Sequence, residues 1–156
     1  MTAGAVVCNS SPLIALERIA RLDILTQLFG AVVVPPAVIR ETVPLMNLPG
    51  WITEQALAQP IGAEILRASL GAGESETISL ALELGAAWVI LDDRPARRLA
   101  QGLGLPVIGT LGILLAGKRR GLLSAVKPSV DALAQHGFHI APDLYKRILS
   151  DAGESP

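Results

Sequence analysis

Apolar and polar positions along the chain fall into two kinds of stretch that alternate. Four short runs, AVVC (5–8), AVVV (31–34), AAWVIL (86–91) and LPVIG (105–109), carry no polar face. Runs of this length predict strands covered on both sides. Between them apolar residues recur at helical spacing. Leu13, Leu16 and Ile19 mark one helical segment, and Leu22, Leu25 and Leu28 a second. PAVIRET after Pro35 predicts a short helix that must stop by Pro44, because proline cannot continue it. Further helices are expected over 63–70, over Ser75–Leu84, and in RPARRLAQGLG, TLGILLAGKRRG, PSVDALAQHG and PDLYKRILSDAG. A serine is expected to cap the first helix, ahead of Pro12, and Ser129 to cap the one in PSVDALAQHG. Residues 44–62 are rich in Pro and Gly and predict a loop with one short helix.

Strands that are apolar throughout, alternating with helices, predict a parallel sheet covered on both faces. The expected fold class is therefore α/β, a three-layer α/β/α sandwich with a central parallel sheet. At 156 residues the chain predicts a single domain over 1–156.

Composition narrows the function classes. Hydrophobic residues make up 51 % and charged ones 17 %, which argues against disorder. The formal net charge is −1, so no global basic field points to nucleic acid. Six of the 13 basic residues nevertheless fall between Arg94 and Arg120: Arg94, Arg97, Arg98, Lys118, Arg119 and Arg120. One cysteine, Cys8, rules out an intrachain disulfide and reads as a small buried hydrophobe. No basic segment precedes a long apolar run, and no apolar stretch is long enough for a bilayer. These features predict a soluble, cytoplasmic protein without membrane contact.

The candidate chemistry lies at strand ends. Ligands of open parallel sheets bind outside the carboxyl ends of the strands. The first strand ends at Asn9-Ser10-Ser11, the third at Asp92-Asp93. One of the two aspartates is explained as a cap on the helix that opens at Arg94-Pro95; the other is not. Glu41 sits near the carboxyl end of a short helix, where the dipole disfavours negative charge by about 0.3–1 kcal/mol. Glu74 follows Gly71-Ala72-Gly73 and leads the face that carries Ile78 and Ala81, whereas Glu76 points elsewhere. Asn9, Glu41, Glu74 and Asp93, with Asp92 beside it, form an oxygen-rich set that suits Mg²⁺ or Mn²⁺. Two other patterns fail. The P-loop-like spacing Gly112 to Lys118 has Arg119 in place of the metal-binding Ser or Thr, and Gly102-Leu-Gly104 lacks the third dinucleotide glycine. His136 and His139 read as surface residues.

VVCNSSPLIAL, VVVPPAVIRETV and GAGESETISLALELGAAWVILDDRPARRLA stand in the order and spacing of PIN-domain proteins. The chain resembles a prokaryotic PIN-like subgroup related to the VapC-type toxins. The resemblance implies a Mg²⁺- or Mn²⁺-dependent ribonuclease with Asn9, Glu41, Glu74 and Asp93 in the catalytic positions. Asp92 is expected to join the metal set and replace the charge that Asn9 lacks. Ser10 or Ser11 would assist by hydrogen bonding. RNA would be held by Arg94, Arg97, Arg98, Lys118, Arg119 and Arg120. An antitoxin protein and a homodimer are the implied protein partners. Asn9 stands where the family usually has Asp, and this keeps a second reading open: a catalytically silent PIN-fold module that binds RNA or a partner protein. A phosphotransfer receiver would need its acidic pair after the first strand, where this chain has Asn-Ser-Ser.

Overall fold

The computed structural model describes residues 4–156; residues 1–3, the start of the expected domain, lie outside it. Five strands form one sheet in the order β3-β2-β1-β4-β5, every pair parallel. They are β1 (Val6–Cys8), β2 (Val32–Val34), β3 (Ile52–Glu54), β4 (Trp88–Ile90) and β5 (Val107–Ile108). Register is fixed at the centre by Val7 opposite both Val33 and Val89.

Successive strand residues point to opposite faces, and here both faces are apolar. Val6, Cys8, Val32, Val34 and Ile90 join a core with α1 (Ser10–Arg18), α2 (Ile24–Phe29), α7 (Thr110–Arg119), α8 (Lys127–Gln135) and α9 (Pro142–Asp151). Val7, Val89 and Leu91 join the other core, made with α5 (Ala72–Leu84) and α6 (Arg94–Gly102). Two short helices, α3 (Pro36–Thr42) and α4 (Ile61–Leu66), complete the described elements, and both pack on α5. The three-layer α/β/α sandwich expected from the sequence is what forms. Among the described residues no helix is long and apolar enough to cross a membrane.

Several local expectations are corrected. The segment 44–62 contains β3, an edge strand whose only buried residue is Ile52. A strand with one inward side chain leaves no periodic signal, and its pairing with β2 supplies what the sequence pattern lacks. The α5 helix starts at Ala72 rather than Ser75, so Gly73 lies within its first turn. The N-cap of α1 is Asn9, not a serine, and its side chain makes no capping bond. Ser129 lies inside α8 and is buried. The amino end of α8 is served instead by Glu154, whose carboxylate accepts from Val126 N–H at 2.7 Å and Lys127 N–H at 3.1 Å. A carboxylate at a helix amino terminus satisfies orphan donors and complements the dipole, so a distant residue displaced the local candidate.

Candidate functional site

The strand order changes direction at β1, between β2 and β4, and a crevice opens outside the carboxyl ends at such a switch point. Asn9 follows β1 directly. Its N–H donates to Ile90 O at 3.0 Å, tying the end of β1 to the end of β4. Asn9 is 1 % exposed, and its Oδ1 has no hydrogen-bond partner among the described residues. An orphaned buried oxygen costs about 1–3 kcal/mol, and a bound cation or water is what such an acceptor takes up.

Glu41, near the end of α3, brings its carboxylate to the same place. Ser10 Oγ donates to Glu41 Oε1 at 2.6 Å. The two groups meet over Gly73. A Cβ there would strike Glu41 Oε1 and stand 3.0 Å from Asn9 Oδ1. Only a residue without a side chain lets these oxygens share the space above α5.

Glu74 is half-buried and its carboxylate folds back over Gly71, where a Cβ would lie 2.9 Å from Oε2. Glu76 points away from Glu74, as its helical position predicted, and the structure turns it toward α3. Its Oε1 accepts from Ala37 N–H at 2.9 Å, and its Oε2 lies 3.4 Å from Arg67 and 3.6 Å from Arg40. It is a buried structural anion, fastening the amino end of α3 to α5.

The two aspartates after β4 divide their roles. Asp93 is exposed and caps α6, accepting from Ala96 N–H at 3.1 Å. Asp92 turns inward, accepting from Thr110 N–H at 2.8 Å and from Thr110 Oγ at 2.6 Å. Burial pushes the Asp92 carboxyl above its usual value, outweighing the two Thr110 bonds and the nearby Arg97, which pull it down. The same burial, with the Asp92 charge nearby, pushes the Cys8 thiol up and keeps it unreactive.

The Asp92 shift has a measurable consequence. A carboxyl whose folded value is raised above its unfolded one, near 3.8, contributes stability below that value and loses it as pH rises through the folded value. Asp92→Asn keeps a partner for both Thr110 groups without the buried charge. Metal-free Asp92→Asn is expected to melt above the wild type at neutral pH. The gap should close as pH is lowered toward about 3, below the unfolded carboxyl value. Thermal melts across pH 3–8 check this, and a variant that melts lower at neutral pH contradicts it.

The basic residues separate into two groups. Arg94, Arg97 and Arg98 open α6 beside Asp92 and Asp93; Arg97 Nη1 donates to Leu91 O at 2.8 Å. Lys118, Arg119 and Arg120 do not join them. The α7 helix leaves the carboxyl edge at Thr110 and runs 10 residues, about 15 Å, which sets its end at the opposite edge of the sheet. Lys118 is also engaged there, donating to Ala152 O at 2.6 Å and to Glu154 Oε2 at 2.8 Å. Ser10 serves Glu41, whereas Ser11 is exposed on a neighbouring cleft. Sequence reasoning missed Thr110, Gly73 as the seat of the two oxygens, and Arg147 and Phe138 on the cleft wall; these are long-range relations without a local signal.

Among the described residues no three His, Cys, Asp or Glu side chains stand close enough together to hold an ion by themselves. The donors that do converge are Asn9 Oδ1 and Glu41, with Asp92 at the adjoining strand end. They are all oxygen, and Mg²⁺ takes one or two carboxylates and keeps several waters. The chemistry of the set fits a hard divalent cation.

Fold and edge together define a parallel α/β domain with oxygen donors gathered at the carboxyl ends of its strands. A family model described as a PIN domain matches residues 5–154, and the chain belongs to the PIN-domain family. PIN domains generally use divalent metal ions. Among curated proteins no match to the chain is found.

Proposed function

We propose that the protein is a metal-dependent ribonuclease of the VapC-like toxin type, hydrolysing RNA phosphodiester bonds with Mg²⁺ or Mn²⁺. The observation that carries this reading is the buried, unpartnered Asn9 Oδ1 facing the Glu41 carboxylate across Gly73 at the switch point. Such a pairing is costly in an apolar core and useful beside a cation. In this reading Glu41 and Asp92 supply the negative charge and Asn9 a neutral oxygen, and Glu74 and Asp93 are proposed to add further carboxylates. A divalent ion held there supplies charge neutralisation at phosphate and a bound water of lowered pKa. Ser10 orients Glu41 through its hydroxyl, and Thr110 orients Asp92. Arg94, Arg97 and Arg98 hold substrate phosphates, which gives salt-dependent affinity without sequence reading. The antitoxin partner and the homodimer belong to the proposal through family membership alone.

The test is cleavage of single-stranded RNA with Mn²⁺ by the wild type, Glu41→Gln and Asp92→Asn. Each variant is expected to lose roughly 100-fold or more in rate, the scale of a lost electrostatic group at a reacting centre. Equal rates in all three proteins would trace the activity to a contaminant.

Asn9 favours a second reading, a PIN-fold module that binds RNA or a protein without cutting. An amide carries no charge and accepts no proton, so metal affinity and water activation both fall. Asn9→Asp separates the two readings: nuclease activity that arises only in this variant identifies the native chain as the silent module.

A further inference from the structure

A cleft of about 780 Å³ opens beside the site, between the amino end of α6, the start of α7, the 138–141 segment and α9. Asp92 lies on its wall, so the cleft adjoins the proposed reaction centre. Its volume is within the range of about 300–1,000 Å³ usual for ligand pockets. Two features of its lining bear on what it takes.

The first is charge. Arg94, Arg97 and Arg147 line the cleft together with His139, against Asp92 and Asp93, in a chain whose formal net charge is −1. Ion pairs among the described residues draw on Arg40, Arg67, Lys118 and Lys127. The guanidiniums of Arg94 and Arg147 are thus unspent and exposed. Of the acidic pair, Asp93 is committed to the α6 cap and Asp92 to Thr110.

The second is an aromatic wall. Phe138 is the one Phe, Tyr or Trp lining the cleft, with Leu111 and Leu144 beside it. Its ring is half-buried against the core of α1, α7, α8 and α9. The backbone fixes where it emerges. Gly137 takes a left-handed conformation at φ +88°, and Phe138 N–H donates to Leu133 O at 2.9 Å, closing α8. Phe138 and Asp92 also line a second cleft of about 320 Å³ that reaches Ser11 and Arg18. Ring and carboxylate stand on the wall between two adjoining hollows.

We infer that the larger cleft takes an unpaired nucleotide of single-stranded RNA, its base against Phe138 and its flanking phosphates on Arg94 and Arg147. A flat apolar face bordered by unspent guanidiniums matches a base between two phosphates, and base–aromatic stacking tolerates any sequence. A duplex cannot present its bases this way, so the subsite engages an unpaired stretch of the strand. This inference rests on the ribonuclease reading and adds to it a base-holding subsite beside the acidic edge.

The experiment reads binding in EDTA, where no metal-dependent cutting occurs, so it fails or succeeds separately from the cleavage assay. Two probes are compared by fluorescence anisotropy: a short labelled single-stranded RNA of mixed sequence and an abasic ribose-phosphate strand of the same length. Phe138→Leu keeps the buried half of the side chain, and its melting midpoint controls for folding. Its affinity for RNA should fall by roughly 5- to 100-fold, the span of a lost stacking contact, with affinity for the abasic strand unchanged. Arg147→Gln should weaken both strands alike and reduce the salt dependence by about one counterion. Unchanged RNA affinity in Phe138→Leu, an equal loss on both strands, or no RNA binding by the wild type would each overturn the inference.

Discussion

Gly73→Ala is expected to weaken Mn²⁺ binding by about 10- to 100-fold, the usual effect of displacing a group that positions a metal ligand. The added methyl would occupy the position where Glu41 Oε1 and Asn9 Oδ1 converge. Asn9 cannot retreat, because it is 1 % exposed and its backbone is tied to Ile90. Glu41 is the end of a flexible side chain and must swing away, which breaks its bond from Ser10. The fold should tolerate this. Alanine is favoured over glycine in a helix by about 1 kcal/mol, which offsets part of the displacement. The melting midpoint should therefore stay within about 4 °C of the wild type. Calorimetric titration with Mn²⁺ together with a thermal melt checks both halves. Wild-type Mn²⁺ affinity in a folded Gly73→Ala protein would remove Asn9 and Glu41 from the metal site.

Among the acidic residues near the site, a clear loss of stability is expected at Glu76. This side chain is 11 % exposed, accepts from the amino end of α3, and faces two arginines from α3 and the segment after α4. The arginine ends are largely solvated, with Arg40 at 62 % and Arg67 at 47 %, so the ion pairs contribute little. The backbone bond matters more, because Glu76→Ala leaves Ala37 N–H without a partner. A hydrogen bond to a charged group is worth about 1.5–3 kcal/mol, which for a chain of this size corresponds to a drop of roughly 4–10 °C. Glu76→Gln keeps an acceptor for Ala37 and should lose less than about 1 kcal/mol. Thermal or urea melts of the two variants test the division; equal destabilisation would assign the effect to charge pairing instead. Because α3 also carries Glu41, the alanine variant should disturb the site, whereas the glutamine variant should leave it intact.

Glu76 and Glu74 show how far residue spacing reaches. They stand two positions apart on one helix, so their side chains diverge, and that much is fixed by the sequence. The destination of each depends on what packs against α5. Glu76 meets the amino end of α3, whereas Glu74 folds over Gly71. The adjacent pair Asp92 and Asp93 behaves in the same way. Proline at position 95 announces a helix start and a cap, but only the twist of the chain leaving β4 decides that Asp93 caps while Asp92 turns toward Thr110.

The sequence by itself determined the layered α/β/α class, because runs such as AVVC and AVVV have no face that tolerates water and so demand cover on both sides. It also located the acidic strand ends, since parallel strands present their carboxyl ends on one edge. Tertiary structure alone decided the strand order that puts β1 beside β4, the edge strand β3, and the convergence of Asn9 with Glu41 over Gly73. It alone sent Lys118 to Glu154 at the far edge of the sheet and brought Arg147 and Phe138 to the cleft. Local periodicity records which side of an element is buried. Which element buries it, and which oxygens then meet, depends on contacts between residues far apart along the chain.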